Sequence, residues 1–150
     1  MENRLNLLEK GMEALKPLFG LTTYIKKSTI DVKLRELVDM RVSQINRCAY
    51  CLDMHSKDAR AHGETEQRLY GLSAWREAPY YTSRERAALA WAEALTSVQV
   101  PDEIYAEAKK EFSDQELIDL TIIVTSINTW NRINHAFPNA VGTYQVGQFG

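Results

Sequence analysis

Apolar residues recur three and four positions apart along nearly the whole chain, as in Leu5, Leu8, Met12 and Leu15, and again in Leu34, Leu37, Val38, Val42 and Ile45. That spacing puts them on one face of an α-helix, and no segment alternates as a half-buried strand does. The punctuation agrees. Thr82-Ser83-Arg84-Glu85 and Ser113-Asp114-Gln115-Glu116 fit the capping box, and Gly63 sits where a glycine would end a helix. Pro101 followed by Asp102 and Glu103 reads as a first turn. The pattern predicts helices at 2–15, 18–27, 31–45, 47–62, 65–71, 83–97, 101–110 and 115–135, an all-α chain. Residues 117–133 are apolar on nearly every side, so they form either the central helix or an oligomer interface. Residues 138–150 carry no charge and several glycines and aromatics, which leaves them either disordered or docked on a neighbour.

Composition narrows the setting. With 150 residues, 45% hydrophobic and 25% charged, and no linker or repeat, residues 1–150 read as a single domain. A domain this long buries about 70% of its extended surface, so its core needs no disulfide or metal to hold it. A net charge of −2 without a basic block argues against nucleic acid or an anionic membrane as partner. The start, Met1-Glu2-Asn3-Arg4, is acidic where a secretion signal is basic. The longest apolar stretch is broken by Asp119, Asn128, Asn131, Arg132 and Asn134, which does not suit a membrane span. A cytoplasmic protein is expected. In a reducing compartment, two cysteines separated by two residues point to redox or metal chemistry.

Cys48, Cys51 and His55 fall at i, i+3 and i+7 of one predicted helix and share a face with Leu52, Ala59 and His62. Asp53, Lys57, Arg60 and Glu64 point elsewhere, so the sulfurs look inward. Asn46 is placed to cap this helix, leaving Cys48 in its first turn, where unpaired N–H groups favour a thiolate. Cys51 lies one turn before His55, within reach of an imidazole that takes a thiol proton. The dipole favours Cys48 as nucleophile and the histidine favours Cys51. In helix 31–45, Glu36 stands nearly opposite the main apolar face, with Val32, Met40 and Ser43, so two faces of that helix look buried. A desolvated carboxylate there has a raised pKa suited to passing protons. The link at Asn46 and Arg47 folds this helix back along 47–62 and lets Glu36 approach His55.

Plainer readings stand beside these. Cysteines are often small buried hydrophobes. Cys48, Cys51, His55 and Glu36 are also a possible zinc set, although three ligands on one straight helix wrap a tetrahedral ion poorly and no second CxxC exists. His62 reads as a helix-end residue and His135 as an interface or capping residue. Arg41, on an apolar face, reads as the partner of a buried acid. Trp75, Trp91 and Trp130 read as core or interface anchors, with walls of a substrate cleft as the alternative.

Glu36, Cys48, Cys51 and His55 together follow E-x11-C-x2-C-x3-H, which resembles the signature of the AhpD-like alkylhydroperoxidases within the carboxymuconolactone decarboxylase superfamily. The flanking segments LRELVDMRVSQINRCAYCLDMHSKDARAHGETEQRLYGL, AWREAPYYTSRERAALAWAEALT and INTWNRINHAF are similar to that family too, from about Leu5 to Phe137. The resemblance implies a compact all-helical fold in homo-oligomers, trimers or hexamers, with the CxxC at a helix start and no bound cofactor or metal. It also implies a peroxidase. Cys51 would become the sulfenic acid, Cys48 would close the disulfide, and Glu36 and His55 would relay protons. The substrate would be a hydroperoxide and the reductant an external dithiol, lipoyl- or thioredoxin-like. One departure is Tyr50, where AhpD enzymes can carry a histidine. A phenol is no base near neutral pH, which shortens or slows the relay. Three other functions compete: a dithiol–disulfide oxidoreductase, a lactone decarboxylase, and a redox sensor without turnover.

Overall fold

The computed structural model describes residues 4–149, and among them it contains α-helices and one 3₁₀ turn but no strand. The helices are α1 (Leu7–Lys10), α2 (Met12–Lys26), α3 (Val32–Asn46), α4 (Ala49–Ala61), α5 (Glu66–Gly71), α6 (Ser83–Thr96), α7 (Asp102–Glu111) and α8 (Asp114–Ala136). Met1–Asn3 and Gly150, which carry parts of the acidic start, the helix at 2–15 and the uncharged tail, lie outside the described residues. Both capping boxes form, at Thr82 and Ser113, and Gly63 takes the left-handed conformation (φ 86°) just after α4.

The first helices break elsewhere than predicted. The pattern divides them between residues 15 and 18, but the chain breaks at Gly11 and Pro17 lies inside α2. A Cβ at residue 11 would stand 2.6 Å from Leu7 Cδ1 and 2.9 Å from the Leu7 carbonyl, so a glycine permits the tight junction. Pro17 withholds an N–H from the Glu13 carbonyl, but both residues are exposed and water can serve that carbonyl.

Helix α3 is buried on two sides, as its pattern predicted. Leu34, Val38 and Val42 pack into one cluster with α6 and α8, while Leu37 and Met40 pack into another with Ala59, Leu72, Trp75 and Leu89. Helix α8 runs beside α3 in the same direction. Its Asp119 accepts from the Thr29 backbone at 3.0 Å near the start of α3, and its Asn131 donates to Ser43 Oγ at 3.1 Å near the end. The 117–133 segment is therefore the central helix, with Leu120 and Val124 fully buried. No helix among the described residues is long and apolar enough to cross a membrane.

The turn after α3 sets the site. Asn46 was expected to cap the next helix, but it ends α3, and its amide donates to Asn128 Oδ1 and Asn131 Oδ1 on α8, both at 2.9 Å. Arg47 then adopts the left-handed conformation (φ 58°), which costs a non-glycine residue about 1–2 kcal/mol, and the chain reverses into α4. The Cys48 N–H closes the reversal on the Ser43 carbonyl at 3.0 Å.

Residues 138–149 of the uncharged tail are ordered against the chain itself. The tail folds back over its own α4, because Tyr144 finds an acceptor there: its buried hydroxyl donates to the Asp58 carboxylate, 2.9 Å from each oxygen. The Gly142 N–H donates to Asp53 Oδ2 at 3.2 Å.

Asn46→Ala removes both bonds from the α3 end to α8. It should lower the unfolding free energy by about 1–3 kcal/mol in chemical denaturation. An unchanged midpoint would mean that this junction holds nothing.

Candidate active site

Cys48 is the N-cap of α4 rather than a member of its first turn, because its sulfur does the capping that Asn46 was expected to do: Sγ accepts from the Cys51 N–H at 3.4 Å. A sulfur at that position meets unpaired N–H groups and the positive end of the helix. Cys51 follows in the first turn, and the two cysteines are joined as a disulfide with Cα atoms 5.3 Å apart. Both residues are buried, 2% and 0% exposed.

One turn on, His55 is 8% exposed and its Nδ1 lies 2.8 Å from Glu36 Oε2 on α3. A carboxylate accepts, so Nδ1 carries the hydrogen, and Nε2 is left buried without a partner. The spacing predicted this approach, and the reversal at Arg47 delivers it. A third group was missed. Asp39 Oδ2 lies 3.8 Å from the same Nδ1, and its place three residues after Glu36 on one helix was the readable signal.

The electrostatics of the three are linked. Burial disfavours a charged imidazole, but the Asp39 charge, the Glu36 hydrogen bond and charge, and the Asp58 charge outweigh it and push His55 up to about 9. Burial raises the Asp39 carboxyl to about 7, against the opposing charge of His55. His55 is thus a stronger base than free imidazole. Tyr50 is buried beside them, and burial and the Asp53 charge push its phenol above its ordinary value, so it is no base near neutral pH.

A cavity of about 550 Å³ opens on this group, and Cys51 is the cysteine that lines it. Its walls are mainly apolar, with Phe19, Ile127 and Trp130 from the helices and Val146 and Phe149 from the tail. Trp130 thus takes the cleft-wall role, while Trp75 and Trp91 are core. Helix α8 adds Asn134, whose Nδ2 lies 3.7 Å from Cys51 Sγ and which no local pattern marked.

The remaining candidates fall outside the chemistry. Arg41 pairs with Glu93 at 2.7 Å, His62 is exposed and donates to the Asp58 carbonyl at 2.8 Å, and His135 Nε2 donates to the Asn46 carbonyl at 2.7 Å, capping α3. Of the zinc set, Glu36 and His55 meet Asp39 with ligand atoms within 4.8 Å of one another, while both cysteine sulfurs are engaged with each other.

Residues 10–94 match the carboxymuconolactone decarboxylase family. The chain is 43% identical over 142 residues to the uncharacterized protein YdfG of Bacillus subtilis, covering 93% of this chain and 97% of that one. It is 36% identical to a crystal structure from Agrobacterium tumefaciens, a protein of unknown function suggested to be the antioxidant defence protein AhpD. The two agree with a TM-score of 0.90 over 95% of this chain and 100% of that one. The debrominase Bmp8, in a cysteine-to-alanine variant with 2,3,4-tribromopyrrole, shares the fold at a TM-score of 0.82 and 22% identity, covering 91% and 74%.

Because His55 is raised, its proton stabilises the fold fully below about 6.5, and that contribution is lost as pH rises through about 9. Removing the Glu36 charge should bring the His55 titration down by about 1 to 3 pH units. NMR of the imidazole in wild type and Glu36→Gln checks this; equal titrations would remove Glu36 as the cause.

Proposed function

The chain belongs to the carboxymuconolactone decarboxylase family, in its AhpD-like branch, and on that footing we propose that it is a thiol peroxidase without a prosthetic group. The observation that carries this reading is the Cys48–Cys51 pair with Cys51 facing an apolar cavity and His55 one turn away, backed by Glu36. In the reduced protein His55, raised to about 9, holds a proton on Nε2 near neutral pH, and this imidazolium favours Cys51 as a thiolate. The thiolate attacks the terminal oxygen of a hydroperoxide, the O–O bond breaks, and the alcohol leaves with the proton that His55 returns. Cys48 then attacks the Cys51 sulfenic acid, water leaves, and the disulfide forms. An external dithiol restores both thiols and is itself oxidised. The helix N-terminus favours Cys48 as a thiolate too, which suits it to this second attack.

Burial separates this reading from general disulfide exchange. Both cysteines are buried and Cys51 meets the outside through a cavity of about 550 Å³, a setting that favours a small hydroperoxide or a slender dithiol over the face of a folded protein. The same reading includes assembly into a trimer or hexamer, supported by the exposed apolar side chains of Leu5, Leu8, Met12 and Ile118.

Cumene hydroperoxide with dihydrolipoamide tests the proposal. Wild type should turn over, both Cys→Ser variants should stop, and His55→Ala should lose about 10²- to 10⁴-fold. After peroxide, mass spectrometry should find one added oxygen on Cys51 in Cys48→Ser. The oxygen on Cys48 in Cys51→Ser instead would exchange the two roles, and exchange with dithiols without peroxide consumption would favour an oxidoreductase.

A further inference from the structure

In the thiol chemistry proposed above, negative charge appears on Cys51 Sγ, first as a leaving group and then as a nucleophile, in a residue with no exposed surface. Water therefore does little to solvate that charge. The Cys51 N–H is turned to Cys48, and the donor to Cys51 Sγ among the described residues is the Asn134 amide, 3.7 Å away near the end of α8. A disulfide sulfur is a weak acceptor and a thiolate a strong one, so this contact strengthens as charge arrives.

The orientation of the amide follows from its other partners. Its Nδ2 also donates to the Trp130 carbonyl at 3.4 Å, and a carbonyl can only accept, so the nitrogen rather than the oxygen is on that side. Its Oδ1 accepts from Asn139 Nδ2 at 2.9 Å. Asn139 belongs to the tail that crosses α4, held by Gly142 on Asp53, by Tyr144 on Asp58, and by Lys57 Nζ on the Tyr144 carbonyl at 3.1 Å. Asn134 and Asn139 both line the cavity.

We propose that Asn134 is a further catalytic residue, donating its amide hydrogen to the Cys51 thiolate, and that Asn139 is a positioning residue through which the C-terminal strap aims it. The inference rests on the thiol chemistry proposed above. During reduction one thiolate of an external dithiol attacks Cys51 Sγ, the sulfur that lines the cavity. The S–S bond breaks and its electron pair goes to Cys48 Sγ at the start of α4. The second thiol of the reductant then displaces Cys51 as a thiolate beside the amide, leaving the reductant as a disulfide. In the next cycle the same amide holds Cys51 deprotonated for attack on the peroxide.

The test reads the thiol directly. In full-length reduced protein with Cys48→Ser, the rate of Cys51 alkylation by iodoacetamide against pH gives its thiolate fraction. Asn134→Ala should lower that fraction at neutral pH about tenfold. Asn134→Asp, of nearly the same shape but with no donor, should lower it further, and Asn139→Ala should lower it less, in the same direction. A merely structural Asn134 would leave the alkylation profile in place while native circular dichroism persists, and that result overturns the proposal. Should Asn134→Ala fail to fold, Asn139→Ala, exposed and outside any helix, reads the same path. An unshifted profile there overturns it as well. Because alkylation needs no peroxide, a shift in a protein without peroxidase turnover would sink the peroxidase reading and leave this one standing.

Discussion

A hydrogen bond 2.8 Å long, from His55 Nδ1 to Glu36 Oε2, joins the two helices on which the site is built. Both residues are buried, so the bond cannot be traded for water, and each group left alone would carry the cost of an unpaired buried polar atom. The left-handed turn at Arg47 brings α4 back along α3 to form it, and the Asn46 contacts to α8 hold that turn. With Nδ1 committed to the carboxylate, the only ring atom left for proton exchange is Nε2. The proposed chemistry needs that restriction: an imidazole free to flip would not keep one nitrogen available to the thiol.

The same packing that makes the base also makes the cavity. Helix α8, parallel to α3, supplies one apolar wall, and the tail, anchored on Asp53 and Asp58, supplies another. Glu36, Asp39 and His55 cluster in the lining that also holds Cys51, and Lys26, Arg35 and Asp58 line the same space among its apolar walls. Beside a sulfur as buried as that of Cys51, each fixed donor or charge acts on a developing thiolate more strongly than it would in water.

Much of this was legible in the chain. Helical periodicity and caps placed most helices, because capping boxes and a C-terminal glycine are local signals that read the same in any fold. The two buried faces of α3 and the approach of Glu36 to His55 followed from spacing and a short link. What escaped depends on distant or context-bound packing. Asn46 looked like a cap because asparagines cap helices, yet partners on α8 claimed it and left the cap to a sulfur. The break expected between residues 15 and 18 falls at Gly11 instead, where the close approach to Leu7 shows no local signal. Asn134, 83 positions after Cys51, reaches the sulfur only through the α3–α8 pairing. The tail lacked any period, and its place became readable only once Asp58 was known to face it.

The most direct measurement is a single turnover. Fully reduced protein, mixed rapidly with less than one equivalent of an organic hydroperoxide and no other reductant, should yield one alcohol and one Cys48–Cys51 disulfide for each peroxide consumed. Peroxide that disappears while both thiols persist, or thiols that oxidise without stoichiometric alcohol, would contradict a peroxidase centred on this pair.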